Sequence, residues 1–190
     1  HWIYWDEKNL IDKLFITPSI KAINIPKKFC CFIVSNPRCE TRNNFFQLLN
    51  TFKKVDSCGK HLNNCGFIMP HGHSTEKFRE FISQYKFIIA FENTKTGTYI
   101  TEKLINPLLA NIIPIWWGTD YVNEIFNENA FIHYNEKNPL ETITKILQLD
   151  TDDNKYIQMV NQQRFKNKDK FLEEYSLESM AAKIAKKLNK

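Results

Sequence analysis

The chain contains no apolar run long enough to cross a membrane, so no transmembrane helix is expected within it. It has no P-loop, no Gly-x-Gly-x-x-Gly and no Gly-x-Ser-x-Gly, which removes the local marks of the commonest phosphate-cradling loops and of the nucleophile elbow. Its basic residues are scattered, apart from Lys183, Lys186 and Lys187 near the end, so no nucleic-acid partner is expected. Internal repeats and low-complexity tracts are absent. Asparagine is common, yet no Asn-x-Ser/Thr sequon occurs, which leans away from a secretory lumen. The cysteines are Cys30, Cys31, Cys39, Cys58 and Cys65, an odd number without framework spacing, and they predict free thiols in a reducing compartment. Together these features predict a cytoplasmic setting. No signal peptide is visible, and the chain opens at His1 rather than at a methionine, so an upstream segment is expected to have been cut away.

What is present is an ordinary globular composition. The 190 residues are 43% hydrophobic, 25% charged and 14% aromatic, which suits one domain with a full core. The net charge of +5 fits an anionic ligand, from a sugar nucleotide to a membrane surface.

Strand-like and helix-like segments alternate along the chain. Residues 29–35 (FCCFIVS) and 86–92 (KFIIAFE) are short and apolar without polar alternation, as strands buried on both faces read. Further strands are expected near 54–56, over 112–117 and over 130–134. Helices are expected over 42–52, after a Ser74 cap, over 101–110 with Pro107 as a kink or early end, over 121–127, 139–149 and 153–170, and over 176–188 behind a Ser176 cap. This alternation predicts an α/β domain with a parallel sheet flanked by helices, in which ligands bind beyond the carboxyl ends of the strands. The expected boundaries are a linker over 1–28, opening with HWIYW, then a nucleotide-binding domain over 29–170 and a carboxyl-terminal helix over 171–190. That last helix gathers Met180, Ile184 and Leu188 on one face, for packing onto the domain or for peripheral contact with a membrane.

Two segments combine a strand end, a helix start and a cation. After the first strand, Ser35-Asn36-Pro37-Arg38-Cys39-Glu40-Thr41-Arg42 opens a helix whose free N–H groups suit phosphate, with Arg42 in its first turn. A cation opposes the helix dipole there; it is either a solvated surface arginine or a bidentate partner for a diphosphate oxygen. After the strand at 86–92 comes Asn93, then a glycine-containing loop with Tyr99, then Thr101 as a helix cap followed by Glu102 and Lys103. Lys103 is a point charge suited to phosphate, and Glu102 can accept hydrogen bonds from vicinal hydroxyls such as those of a ribose. Asn93 offers a donor and an acceptor, and Tyr99 an apolar face with a hydroxyl. The alternative is a capped helix carrying an exposed Glu–Lys pair. In 112–118 (IIPIWWG), Pro114 is unusual for a buried strand, and Gly118 permits close backbone approach to a ligand or forms an ordinary turn.

Other groupings carry less. Cys58, His61, Cys65, His71 and His73 lack the close ligand pairs of a zinc site. Asp150, Asp152 and Asp153 match a metal pattern formally, but they stand between two expected helices, where aspartate caps. His133 at a strand end reads as a packed histidine.

Taken in order, the segments F-I-V-S-N, R-N-x-F-F, K-K-V-D-S-C-G-K, N-N-C-G, Y-K-F-I-I-A-F-E-N, Y-I-T-E-K and I-P-I-W-W-G closely resemble the carboxyl-terminal part of the α-1,3/4-fucosyltransferase family, nearer its bacterial-type members. The resemblance covers about residues 29–165, and its F-E-N to Y-I-T-E-K run, Phe91 to Lys103, is the specific part. It implies the second, Rossmann-like half of a GT-B glycosyltransferase. It implies GDP-β-L-fucose as donor, a GlcNAc or glucose unit of a glycan as acceptor, and transfer with inversion. It implies that Arg42 and Lys103 face the diphosphate, that Asn93, Tyr99 and Glu102 lie around the ribose and sugar-phosphate, and that no metal or other cofactor is needed. In the family the general base is a glutamate of the amino-terminal acceptor domain, which this chain does not include, so no catalytic residue is assigned here. A typical eukaryotic member would sit at the Golgi membrane. The rival expectation is a catalytically silent module that binds sugar nucleotide or carbohydrate.

Overall fold

Five short strands form one parallel sheet. In chain order they are β1 (Lys28–Phe32), β2 (Val55–Ser57), β3 (Tyr85–Phe91), β4 (Ile113–Trp117) and β5 (Ile132–His133), arranged β2-β1-β3-β4-β5. All four pairings are parallel. This computed structural model describes residues 10–188 other than Ser74. The HWIYW run and the expected Ser74 cap lie outside the described residues.

The helices lie on both faces of the sheet. They are α1 (Leu10–Phe15), α2 (Glu40–Phe52), α3 (Glu76–Ile82), α4 (Glu102–Leu109), α5 (Val122–Ile125), α6 (Pro139–Thr151), α7 (Asp153–Val160), α8 (Lys168–Tyr175) and α9 (Leu177–Leu188). Side chains alternate across β3, the most enclosed strand. Phe87, Ile89 and Phe91 enter the core under α2, α6 and α7, while Ile88 faces the opposite side with Phe78 and Ile82 of α3. A third apolar cluster joins Trp116 of β4 to Leu104, Ile105 and Leu108 of α4, and to Leu14 of α1. Such double coverage is why the inner strands β1, β3 and β4 read as largely apolar runs.

The strand order places a reversal in the middle of the sheet. From β1 the chain moves outward through α2 to β2, then returns through α3 to β3 on the other side of β1. The carboxyl ends of β1 and β3 therefore open a crevice that no crossover covers, which is where open α/β sheets bind ligands.

Several expectations are corrected. The single helix over 153–170 is two, α7 and α8, because residues 161–167 turn inward. Asn161 there bonds both main-chain groups of Ile20, at 2.7 and 2.9 Å, and Phe165 bridges to Phe126. Thr75 caps α3, its hydroxyl accepting from the Phe78 N–H. Within the expected linker, α1 is seated on α4 with Leu14 only 1% exposed. The face of α9 does not pack onto the domain through Ile184 and Leu188, which are 58% and 80% exposed. No described helix is long and apolar enough to cross a membrane.

The expectation of five free thiols is also corrected. Cys58 and Cys65 form a disulfide, while Cys30, Cys31 and Cys39 are free and buried. The intervening loop folds back because Asn64 accepts from the Ser57 N–H and donates to the Val55 carbonyl, and Asn63 donates to Gly59 and Phe67. A side chain at Gly59 would strike the Val34 backbone, so only glycine permits this return. The thiol argument for a reducing compartment falls with this pairing.

Candidate functional site

The crevice between β1 and β3 is a cavity of about 190 Å³. One wall is apolar, made by Ile33, Phe78 and Ile88; the other carries Asn36, Arg42, Asn93, Glu102 and Lys103. Four of the five residues expected at the site thus meet in one place. The fifth, Tyr99, is half-buried on the adjoining loop and does not line the cavity.

Arg42 is not the solvated arginine of the simpler reading. Its side chain is 1% exposed, under the loop that follows β1. Nη2 donates to the Asn36 carbonyl at 2.7 Å, and Nη1 donates to Asn93 Oδ1 at 2.8 Å and to the Phe91 carbonyl at 3.5 Å. The guanidinium therefore ties the β1 loop to the β3 loop across the crevice. Its Nε–H is buried without a hydrogen-bond partner. Burial lowers its pKa, yet a guanidinium starts so high that it keeps its charge.

The second half of the site is organised by Glu92, whose importance sequence reasoning missed. Its side chain is fully buried. The carboxylate accepts the Thr101 N–H at 2.8 Å and the Thr101 hydroxyl at 2.7 Å, and it meets Lys103 Nζ at 3.4 Å. Burial pushes the carboxyl upward, against the opposing pull of Lys103 and Thr101. Thr101 in turn caps α4, its Oγ1 accepting from the Lys103 N–H at 3.3 Å. Burial alone would pull the Lys103 ammonium down, but Glu92 and Glu102 together hold it above its usual value. Its Nζ lies 3.2 Å from Glu102 Oε1, so the expected exposed Glu–Lys pair is instead part-buried in the crevice.

Two further residues join the lining. His73 packs edge-on against Phe78 with ring centroids 4.6 Å apart, and Asn106 Nδ2 donates to its carbonyl at 2.7 Å. In the sequence His73 had been weighed only as a zinc ligand. Two of its companions in that grouping are joined as the Cys58–Cys65 disulfide, and among the described residues no group of three or more His, Cys, Asp or Glu could hold a metal ion. Asp152 caps α7 by accepting from the Lys155 N–H, and His133 is packed on Phe131 with Nε2 2.8 Å from Asn123 Oδ1. Gly118 permits close packing: a Cβ there would meet the Trp116 ring and lie 3.1 Å from Glu92 Cγ.

A family model described as the carboxyl-terminal part of glycosyltransferase family 10 (fucosyltransferase) matches residues 24–190. The chain belongs to glycosyltransferase family 10. Its relatives include an alpha-(1,3)-fucosyltransferase of Helicobacter pylori, 36% identical over 72% of this chain and 27% of the relative. A putative fucosyltransferase of Acanthamoeba polyphaga mimivirus is 33% identical over 84% of this chain and 27% of the relative. The human GDP-fucose protein O-fucosyltransferase 3 is 33% identical over 75% of this chain and 32% of its own length. Among solved structures, an alpha1,3-fucosyltransferase crystallised with GDP-fucose superposes with a TM-score of 0.67 at 34% identity, over 76% of this chain and 40% of that one. The family 10 sheet described above is thus the carboxyl-terminal, Rossmann-like half of a GT-B fold, as the motifs implied. The chain spans well under half the length of these relatives.

Proposed function

We propose that this chain is the donor-binding domain of an inverting α-1,3-fucosyltransferase, which transfers L-fucose from GDP-β-L-fucose to a GlcNAc or glucose hydroxyl of a glycan. The observation that carries this reading is the convergence of Arg42 and Lys103 on one crevice at the reversal point of the sheet. Fucose departs through a transition state with positive charge on the sugar and growing negative charge on the diphosphate. Preorganised cations and N–H groups stabilise that leaving charge most where water is excluded. Arg42 lines the cavity and is held by its bonds to Asn36 and Asn93, so its charge is fixed at the crevice before any ligand arrives. In this reading the leaving group is neutralised by side chains and helix amides, without a metal. Glu102 takes the ribose hydroxyls, Asn93 and Tyr99 lie around the sugar-phosphate, and the apolar wall of Ile33, Phe78 and Ile88 faces the nucleoside.

In-line displacement also needs a base to take the acceptor proton. Glu92 is unsuited, because its carboxylate is sealed in the protein and committed to Thr101 and Lys103. We assign that step to a region beyond this chain, which the longer relatives have room to contain.

The test is calorimetric titration of the chain with GDP-fucose, GDP-mannose and UDP-galactose, repeated on Arg42→Ala and Lys103→Ala. The expected result is binding of the GDP sugars in preference to the UDP sugar, weakened about 10-fold or more in each variant, as loss of a charged hydrogen bond implies. Absence of nucleotide binding by a demonstrably folded chain would sink the reading of a self-sufficient donor site.

A further inference from the structure

We infer that His73 is a third phosphate-facing group of the crevice, neutral in the free chain and protonated when a sugar diphosphate is bound. This rests on the donor-site reading above and adds one binding residue to it.

Charge balance creates the need. Arg42 and Lys103 are the cations at the crevice, and the carboxylates of Glu92 and Glu102 stand against them. The site is thus electrically balanced before any ligand arrives. The diphosphate of a sugar nucleotide then brings two negative charges into a part-buried space. Charge taken out of water needs a compensating partner nearby. A helix start supplies only part of it, about half a unit charge. Histidine is the side chain that can add a positive charge near neutral pH. Among the described residues that line the cavity, His73 is the one histidine.

Its placement meets that need. Asn106 Nδ2 donates to the His73 carbonyl at 2.7 Å. Asn106 follows Lys103 by three residues and Glu102 by four on α4, so the three side chains share one face of the helix. The Asn106 bond therefore seats His73 beside the Glu102–Lys103 pair. Phe78 of α3 packs against the ring and contributes no charge, and Arg42 of α2 shares the cavity. Among the described residues no hydrogen bond engages the ring itself, which leaves it half-buried and free to donate. In the free chain burial lowers its pKa, while Glu102 raises it and Lys103 lowers it again. A diphosphate on Lys103 replaces that opposing positive field with a negative one, so the ring takes a proton from the buffer as the ligand binds. No other bond is made or broken.

The experiment is calorimetric titration of GDP-fucose into the chain at pH 6 and pH 8, each in two buffers of different ionisation enthalpy, which counts the protons exchanged. The diphosphate of GDP-fucose is esterified at both ends and takes up no proton in this range, so any uptake belongs to the protein. The expected result is uptake of about half a proton at pH 6, little at pH 8, and an affinity about 5-fold higher at pH 6. His73→Asn is expected to lose both the uptake and the gain at pH 6. His133→Asn, which alters a ring packed on Phe131 outside the crevice, is expected to retain them. Binding to the unaltered chain without uptake overturns the inference and leaves the donor site standing, and that measurement needs no variant to fold. Uptake that persists in folded His73→Asn assigns the proton to another group, such as Glu102, and overturns the inference too. So does a loss of affinity in that variant equal at both pH values, which marks packing alone. Absence of GDP-fucose binding by the folded, unaltered chain at either pH overturns the donor reading and this inference with it.

Discussion

Arg42 and Arg164 are both buried, yet they serve different purposes, and neither environment was visible in the local sequence. Arg42 spans the crevice between two loops, whereas Arg164 spends its donors on the carbonyls of Lys13 and Leu14 and on Asn111 Oδ1. Thr101 is a third residue on which much depends, since its hydroxyl both caps α4 and satisfies Glu92. Thr101→Ala is expected to lower stability by about 1–2 kcal/mol, the range for a lost cap, and Thr101→Ser to retain most of it; urea denaturation checks both. Histidines set an acid-side dependence. Burial holds His73 and His133 below their usual value; Glu102 opposes this at His73, and Asp120 and Glu128 oppose it at His133. As pH falls below the unfolded value of about 6.5, the unfolded chain takes up protons that the folded chain does not, so stability present at neutral pH is lost. Urea midpoints at pH 7.5 and 5.5 should therefore differ less in a His73→Asn, His133→Asn double variant than in the unaltered chain. Of the cavity lining, Arg42, Asn93, Glu102 and Lys103 were legible because each follows a strand end or opens a helix. Glu92 was passed over because a carboxylate at a strand terminus gives no local sign of being buried.

At the scale of elements, α4 and α1 behave differently from their sequence descriptions. Pro107 lies inside α4, and the helix ends two residues later at Leu109, after which the Ile112 N–H bonds the Pro107 carbonyl and turns the chain into β4. The helix thus runs through the proline to within one residue of its expected end, and the early end expected at Pro107 does not occur. Pro114 is tolerated within β4 beside a β5 that pairs only with Ile115 and Trp116. The helix α1 lies where the pattern gave no period, and Arg164 holds it by bonding its last carbonyls. Arg164→Ala should leave those carbonyls and Asn111 short of a charged donor and cost about 2–4 kcal/mol, as the loss of more than one such bond implies. Hydrogen exchange checks the mechanism, since residues 10–15 should lose protection before the sheet does.

For the whole molecule, the consequence of the sheet order is that one cavity joins segments far apart in sequence. Arg42 on α2 and Lys103 on α4 approach the same cavity from opposite sides of the reversal. A donor bound there should brace the entire domain. With GDP-fucose at a hundred times its dissociation constant, stabilisation is about 2.7 kcal/mol, or about 5–10 °C in melting temperature for a chain of this size. Thermal scans with GDP-fucose and with UDP-galactose test this, and a shift equal for both would deny preference for the guanosine sugar.

The amino-acid sequence by itself determined the parallel α/β class, because strands buried on both faces must be apolar throughout, and it determined the family, because Phe91 to Lys103 is a specific run. It also located the phosphate-suited cations, since helix starts after strand ends can be recognised from local pattern. Tertiary structure alone decided that Arg42 is buried rather than solvated, that Glu92 anchors Lys103, that Tyr99 stands outside the cavity and that Cys58 meets Cys65. Each of these depends on the distance between residues separated along the chain, and burial, ion pairing and disulfide formation are set by that distance rather than by neighbours in sequence.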